Sequence, residues 1–367
     1  MRRAILAMVL ALAGCADRGV TVLRPDAQGV GTLHRVHVAT TRAPDDSGWF
    51  GSERSEARRF LTLDVSIPPT HTTGRINAGY ARPDPARNVV MVARRDMADA
   101  KAFRGDLTRA ITARPRGDRD VVLYVHGYNN SFLDGVYRTA QLMHDFELPG
   151  TAAHFAWASA AHPLGYTYDR DSLLIARDAL EQTLRDIRRA GATRIVLVAH
   201  SLGTMLTMET LRQIDIADPG WSKRNLGGVV LISPDLDVEL FRTQMLRLDA
   251  VPQPFAIFVS QKDRVLALSS LINGVGNRLG NLADPSRLAA FPVTVLDVTQ
   301  FSGATGGHFT AGTSPALIGI LSRSAEIDAA FQFDRAGQAG LLSGTVLTVR
   351  RATTVILSPD LLGRRPR

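Results

Sequence analysis

A doubly wound α/β fold with a mostly parallel sheet is predicted for this chain by three observations. Apolar runs at 121–125, 154–157, 195–199, 229–232, 256–259 and 293–298 have the length of buried strands, helical patterns alternate with them, and no internal repeat is present. The clearest helix is 172–190, where Leu173, Ala176, Leu180, Leu184 and Ile187 share one face behind Asp171 as the expected N-cap. Helices are also expected at 202–214 and 314–327. Ahead of the regular series, 35–40 and 60–67 read as leading antiparallel strands. The second alternates through Leu61, Leu63, Val65 and Ile67 until Pro68-Pro69 stops it. A third candidate strand, 89–93, precedes a charged helix at 97–111. After residue 330, Gly337, Gly340 and Gly344 break the chain, and strands at 345–349 and 353–357 are expected to form a C-terminal hairpin appendage.

The chain has 367 residues, 45% hydrophobic and 21% charged, which is the composition of a globular protein. Its net charge is +8. Nearly all the basic residues are arginine, with lysine only at Lys101, Lys223 and Lys262. They occur as scattered pairs such as Arg58-Arg59, Arg94-Arg95 and Arg188-Arg189, without the interleaved aromatics on which bases stack, so no nucleic-acid partner is expected. They read as a solvated face, with adsorption to an anionic surface left as an alternative. The organisation expected is a targeting segment at 1–15, a tether at 16–31, leading strands at 32–118, a core at 119–328, and the appendage with its basic tail at 329–367.

Arg2-Arg3 followed by the short apolar run 4–13 reads as a signal peptide, too short to span a bilayer comfortably. Leu12-Ala13-Gly14-Cys15 resembles the bacterial lipobox, which implies diacylation of Cys15 and anchoring in a membrane. Cys15 is the only cysteine, so no intramolecular disulfide can form. Ala16, not aspartate, follows it, and the implied location is the cell envelope facing the periplasm, with the outer membrane favoured.

Ala199-His200-Ser201-Leu202-Gly203 joins an apolar strand directly to a helical pattern. A serine on such a turn is lifted clear of the sheet near a helix N-terminus, as a nucleophile requires. Ala199 replaces the usual glycine by the smallest possible change. In this arrangement an acid and then a histidine follow the serine. Asp263, just past the run 256–259, is the favoured acid, and Asp235 and Asp237, one strand earlier, are the alternatives. His308 is the only histidine downstream of Ser201 and is the expected base. Backbone N–H groups of Leu202 and Tyr128 are expected to bind a developing oxyanion. Asn129, Trp157, Tyr166 and Tyr168 are candidates for a substrate pocket, with His162 in the same loop, and 271–288 for a small cover. His126 and His200 read as packing groups. His34 and His37 are three apart on a strand and fall on opposite faces, so no metal site is expected, and no cofactor.

The elbow, His126-Gly127-Tyr128-Asn129, Phe155-Ala156-Trp157-Ala158-Ser159, Tyr166 with Tyr168-Asp169-Arg170, Pro234-Asp235-Leu236-Asp237 and Gly307-His308 together resemble a bacterial α/β-hydrolase family of unknown function, related to esterases and lipases. Ala39-Thr40-Thr41-Arg42, Phe50-Gly51-Ser52-Glu53-Arg54 and Val65-Ser66-Ile67-Pro68-Pro69 extend the similarity, which runs in order from about Val36 to Leu321. It implies an α/β-hydrolase fold and a lipoprotein form. Ser201, Asp263 and His308 stand at the triad positions, and a small ester or acyl compound is the implied substrate. A non-catalytic envelope scaffold and an acyltransferase using the same triad remain the alternatives. Oligomeric state is left open by the sequence.

Overall fold

The computed structural model describes residues 22–79, 82–272, 278–302, 307–321, 344–349 and 352–357. One sheet of eleven strands organises them, in the order β10-β11-β9-β8-β7-β6-β4-β5-β1-β2-β3. Its parallel centre consists of β4 (Val121–Val125), β5 (Thr151–Ala156), β6 (Ile195–His200), β7 (Leu226–Ile232), β8 (Phe255–Val259) and β9 (Thr294–Asp297). β1 (Thr32–Pro44) joins it parallel to β5, and the long strands β2 (Phe50–Ile67) and β3 (Val90–Met97) continue antiparallel.

Helices cover both faces because the strands alternate between two apolar cores. On β4, Val121, Leu123 and Val125 face one core with α1 (Ala100–Thr112), α3 (Tyr166–Arg189), α4 (Leu202–Ala217) and α6 (Val238–Met245), while α5 (Trp221–Asn225) adds Trp221. Val122 and Tyr124 face the other, with α2 (Phe132–Asp145) and α9 (Pro315–Leu321). Two short helices, α7 (Arg264–Ile272) and α8 (Thr310–Thr313), follow strand ends.

Four sequence expectations change. The third helix starts at Tyr166 behind Gly165, not after Asp171. Its extra turn buries Tyr166 and Asp169, three apart on one face, and a buried carboxylate does not register in an apolar pattern. The C-terminal hairpin, β10 (Gly344–Val349) with β11 (Ala352–Leu357), is no separate appendage, since β11 pairs in parallel with β9 and extends the sheet. Part of the expected tether is packed: Arg24 N–H donates to Met91 O at 2.7 Å, and Ala27 lies against Val90 and Val92. Within the expected cover, Leu279 and Leu288 are core residues, and Gly280 bridges two strand ends by donating to Pro234 O at 3.0 Å and accepting from Ser260 N–H at 2.8 Å. Cys15 and the basic tail lie outside the described residues.

Candidate active site

The parallel strands end on a common edge, and backbone strain concentrates there. Among the described residues the non-glycine positions with positive φ are Asn129 after β4, Ala161 after β5, Ser201 after β6, Ser233 after β7, and Glu147 elsewhere. Each costs about 1–3 kcal/mol, which only a firmly packed surrounding sustains. Ser201 has φ 50° and ψ −127°. It stands at the N-cap of α4, yet its side chain makes no capping hydrogen bond. Its carbonyl instead accepts from Thr204 Oγ1 at 2.7 Å and from the Asp235 amide at 3.3 Å.

The turn is this tight because two backbones cross beside it. A Cβ on Gly203 would lie 2.3 Å from His126 O, and one on Gly127 would lie 2.7 Å from Ser201 Cβ. The loop after β4, which carries Tyr128, therefore passes directly alongside Ser201. Ala199 is fully buried at the remaining small position.

Asp263 and His308 meet. His308 Nδ1 lies 2.7 Å from Asp263 Oδ2, and the carboxylate is completely buried. Asp263 Oδ1 separately accepts from the amides of Val265 and Leu266 at 3.0 and 3.1 Å, so the same residue starts α7 and holds the imidazole. The His308 ring packs on the ring of His200, next to Ser201, at a centroid distance of 4.8 Å. Hydroxyls running from Ser260 to Ser302 (2.7 Å), to Thr310 (3.2 Å) and on to Gly307 O (2.7 Å) tie its loop to the end of β8. His308 Nε2 is buried without a hydrogen-bond partner, so it makes no bond to Ser201 in this structure.

The alternative acids are engaged elsewhere. Asp235 accepts from Ser269 Oγ at 2.7 Å and Tyr166 Oη at 3.1 Å and pairs with Arg278 at 3.3 Å. Asp237 caps α6 through the amides of Glu239 and Leu240.

The expected pocket residues divide. Tyr128 and Tyr166 meet edge to face at 5.5 Å, and burial pushes the Tyr128 hydroxyl up to about 12. Trp157 is no pocket wall: it is fully buried, stacks on His126 at 4.8 Å and donates to His126 O at 2.8 Å, because the ring fills the core under the loop. Tyr168 turns towards β2, with Arg54 over its ring at 4.1 Å. Asn129 takes a left-handed backbone, and its amide donates to Asp169 Oδ2 at 3.1 Å.

That last contact belongs to a network the sequence did not single out. Arg42, 1% exposed, donates to Gly51 O (2.8 Å), Ser159 O (3.1 Å) and Asn130 O (2.7 Å). Register shifts flank it in β1. Burial lowers its pKa to about 10, with Asp169 acting in the opposite direction. Asp169 accepts from Ser159 Oγ and Ala160 N–H, each at 2.6 Å; burial raises its pKa, and these hydrogen bonds counteract the rise. Between them the two residues grip the loops after β4 and β5 beside Ser201. Their only sequence signal was their place within the segments that carried the family resemblance.

Burial holds the His126 and His200 imidazoles well below 6.5 and lowers His154 to about 3. An unfolded chain binds protons at these rings below pH about 6.5 while the folded chain refuses them, so stability is full above that pH and falls as the medium is acidified towards pH 4. Each ring contributes a slope of about 1.4 kcal/mol per pH unit. Melting temperature should drop steeply between pH 6.5 and 5, and a flat profile would contradict this account.

A parallel sheet covered by helices on both faces, with a strained serine between β6 and α4 and a His–Asp pair from later loops, is the architecture of an α/β hydrolase. The chain belongs to the family described as alpha/beta hydrolase of unknown function (DUF900), whose family model matches residues 99–324. No curated protein matches it. Solved structures similar to it include lipase B of Aspergillus fumigatus, at 15% identity and TM-score 0.37 over 61% of this chain. The chain spans about half of that lipase, 53% of its length. A thermostable esterase from Pseudomonas putida ECU1011 is 10% identical, with TM-score 0.38 over 87% of this chain and 93% of its own. One of two fungal esterases from Rhizomucor miehei is 11% identical, with TM-score 0.37 over 86% and 88%. Likeness at this level carries no argument about substrate. Among the described residues, no helix is long and apolar enough to cross a membrane.

Proposed function

We propose that the protein is a serine hydrolase of carboxylic esters, with Ser201 as nucleophile, His308 as general base and Asp263 as the acid that orients it. The observation that carries the reading is the 2.7 Å contact between His308 Nδ1 and buried Asp263, which leaves Nε2 unpartnered beside the strained serine turn. In the reaction His308 Nε2 takes the Ser201 proton as Oγ attacks the ester carbonyl. The amides of Leu202 and Tyr128 receive the oxyanion, the imidazolium returns the proton to the leaving alcohol, and water then releases the acyl group by the same path. The Ser201–His308 hydrogen bond must close when substrate binds, a tightening common where the free enzyme is loose.

The substrate is a small ester or acyl compound, held beside Tyr128, Asn129 and Tyr166. Diacylation of Cys15 would keep the enzyme in the cell envelope facing the periplasm. Labelling with a fluorophosphonate, followed by mapping of the modified residue, tests the chemistry: the label is expected on Ser201 and should vanish in Ser201→Ala. A folded but unlabelled protein favours the non-catalytic scaffold. A competing alcohol separates hydrolysis from acyl transfer, since a transferase would yield the new ester.

A further inference from the structure

Nine histidines occur in the chain, and three of them converge at one place. His34 lies near the start of β1, His71 in the segment after β2, and His144 in the last turn of α2. His34 Nε2 is 3.1 Å from His144 Nδ1. The rings of His34 and His71 both stand edge-on to that of His144, with centroids 5.2 Å away. His71 Nε2 is 2.6 Å from Asp145 Oδ1, and one donor atom from each of His71, His144 and Asp145 lies within 4.8 Å of the other two. β1 runs parallel to the central strands, so His34 sits at the edge of the sheet opposite Ser201. The proposed hydrolysis uses none of these groups.

Direct contacts at hydrogen-bond distance join His34 to His144 and His71 to Asp145, and beyond those pairs three donor atoms gather at one point, as a metal ion requires. We propose that His71, His144 and Asp145 bind one divalent transition-metal ion, with zinc a good match to nitrogen and oxygen donors, and that His34 orients the His144 ring from outside the ligand set. Zn–N bonds of about 2.0–2.1 Å in a tetrahedral site set neighbouring donors about 3.3 Å apart, so the three donor atoms, within 4.8 Å of one another, draw in on the ion. Asp145 is already oriented, since its Oδ2 accepts from the Gly74 amide at 2.6 Å and from Gln141 Nε2 at 2.5 Å, leaving Oδ1 for the ion. A cleft of about 300 Å³ lined by His71, Thr72 and Arg75 gives an entry path. With three protein ligands the ion joins the β2–β3 connection to α2 and keeps a fourth position for water.

The experiment is a calorimetric titration of zinc into the full chain, with any polyhistidine tag removed and metal first stripped by chelator, alongside the visible spectrum of the cobalt(II) form. One zinc per chain, a tetrahedral cobalt band and a melting temperature raised by about 5 °C at saturation are expected. His71→Gln and His34→Gln, on different elements, should each weaken zinc by about 10- to 100-fold, whereas His308→Ala should leave the stoichiometry unchanged. Absence of saturable binding in the folded protein overturns the proposal. So does zinc affinity that is unchanged in both glutamine variants, or lost in His308→Ala.

Discussion

Ser201→Ala should reduce ester hydrolysis by about 10⁴-fold or more while leaving the melting temperature nearly unchanged. The side chain caps no helix, so its loss removes chemistry and not support. His308→Ala should fall by a comparable factor, and the double variant little further, because residues that act as one unit are not additive. Asp263 allows a sharper separation of roles. Its Oδ1 caps α7 and its Oδ2 meets His308, so alanine would disturb folding and catalysis together. Asparagine is about as good a cap but cannot hold the imidazolium, so Asp263→Asn should keep the fold and lose about 10³- to 10⁴-fold in kcat. Steady-state kinetics with a short-chain nitrophenyl ester, beside thermal melts, reads both quantities. Full activity in Ser201→Ala would remove the serine mechanism.

Arg42→Ala should produce the largest stability loss outside the apolar core, about 3–5 kcal/mol by denaturant unfolding. Three carbonyls, of Gly51, Ser159 and Asn130, would lose their donor inside the protein. Asp169 would lose a nearby positive charge that favours its ionised form. Lysine should rescue only part of the loss, since a single ammonium cannot span three carbonyls as the guanidinium fork does. Because Asn130 follows the loop at Tyr128, Arg42→Lys should lower kcat more than it changes KM, which is the signature of a positioning residue. A cost below about 1 kcal/mol for Arg42→Ala would show that the network is incidental.

The parallel centre was legible in the sequence because each buried strand is a short continuous apolar run. Val121–Val125 matches its strand residue for residue, and 195–199 and 256–259 miss theirs by one residue at an end. The serine turn was legible for a related reason. Small residues at 199 and 203 are required by backbones that pass within contact of a missing Cβ, and that constraint is local. Trp157 was misread as a pocket residue because an aromatic in a catalytic-edge loop and an aromatic under that loop have the same sequence. Only packing distinguishes them.

Local patterns in the chain were enough to specify which segments form the sheet, their helical partners, the turn at Ser201 and the short set of acids able to serve a late histidine. The tertiary structure decided between Asp263 and its alternatives Asp235 and Asp237 as the partner of His308, joined the C-terminal hairpin to β9, and drew Arg42 and Asp169 around the loops that flank the serine. The difference lies in the range of the interactions. Strand and turn preferences act over a few residues, whereas a buried charge such as Arg42 finds partners in distant segments, at Ser159 and Asn130, where the pattern of apolar residues leaves no trace.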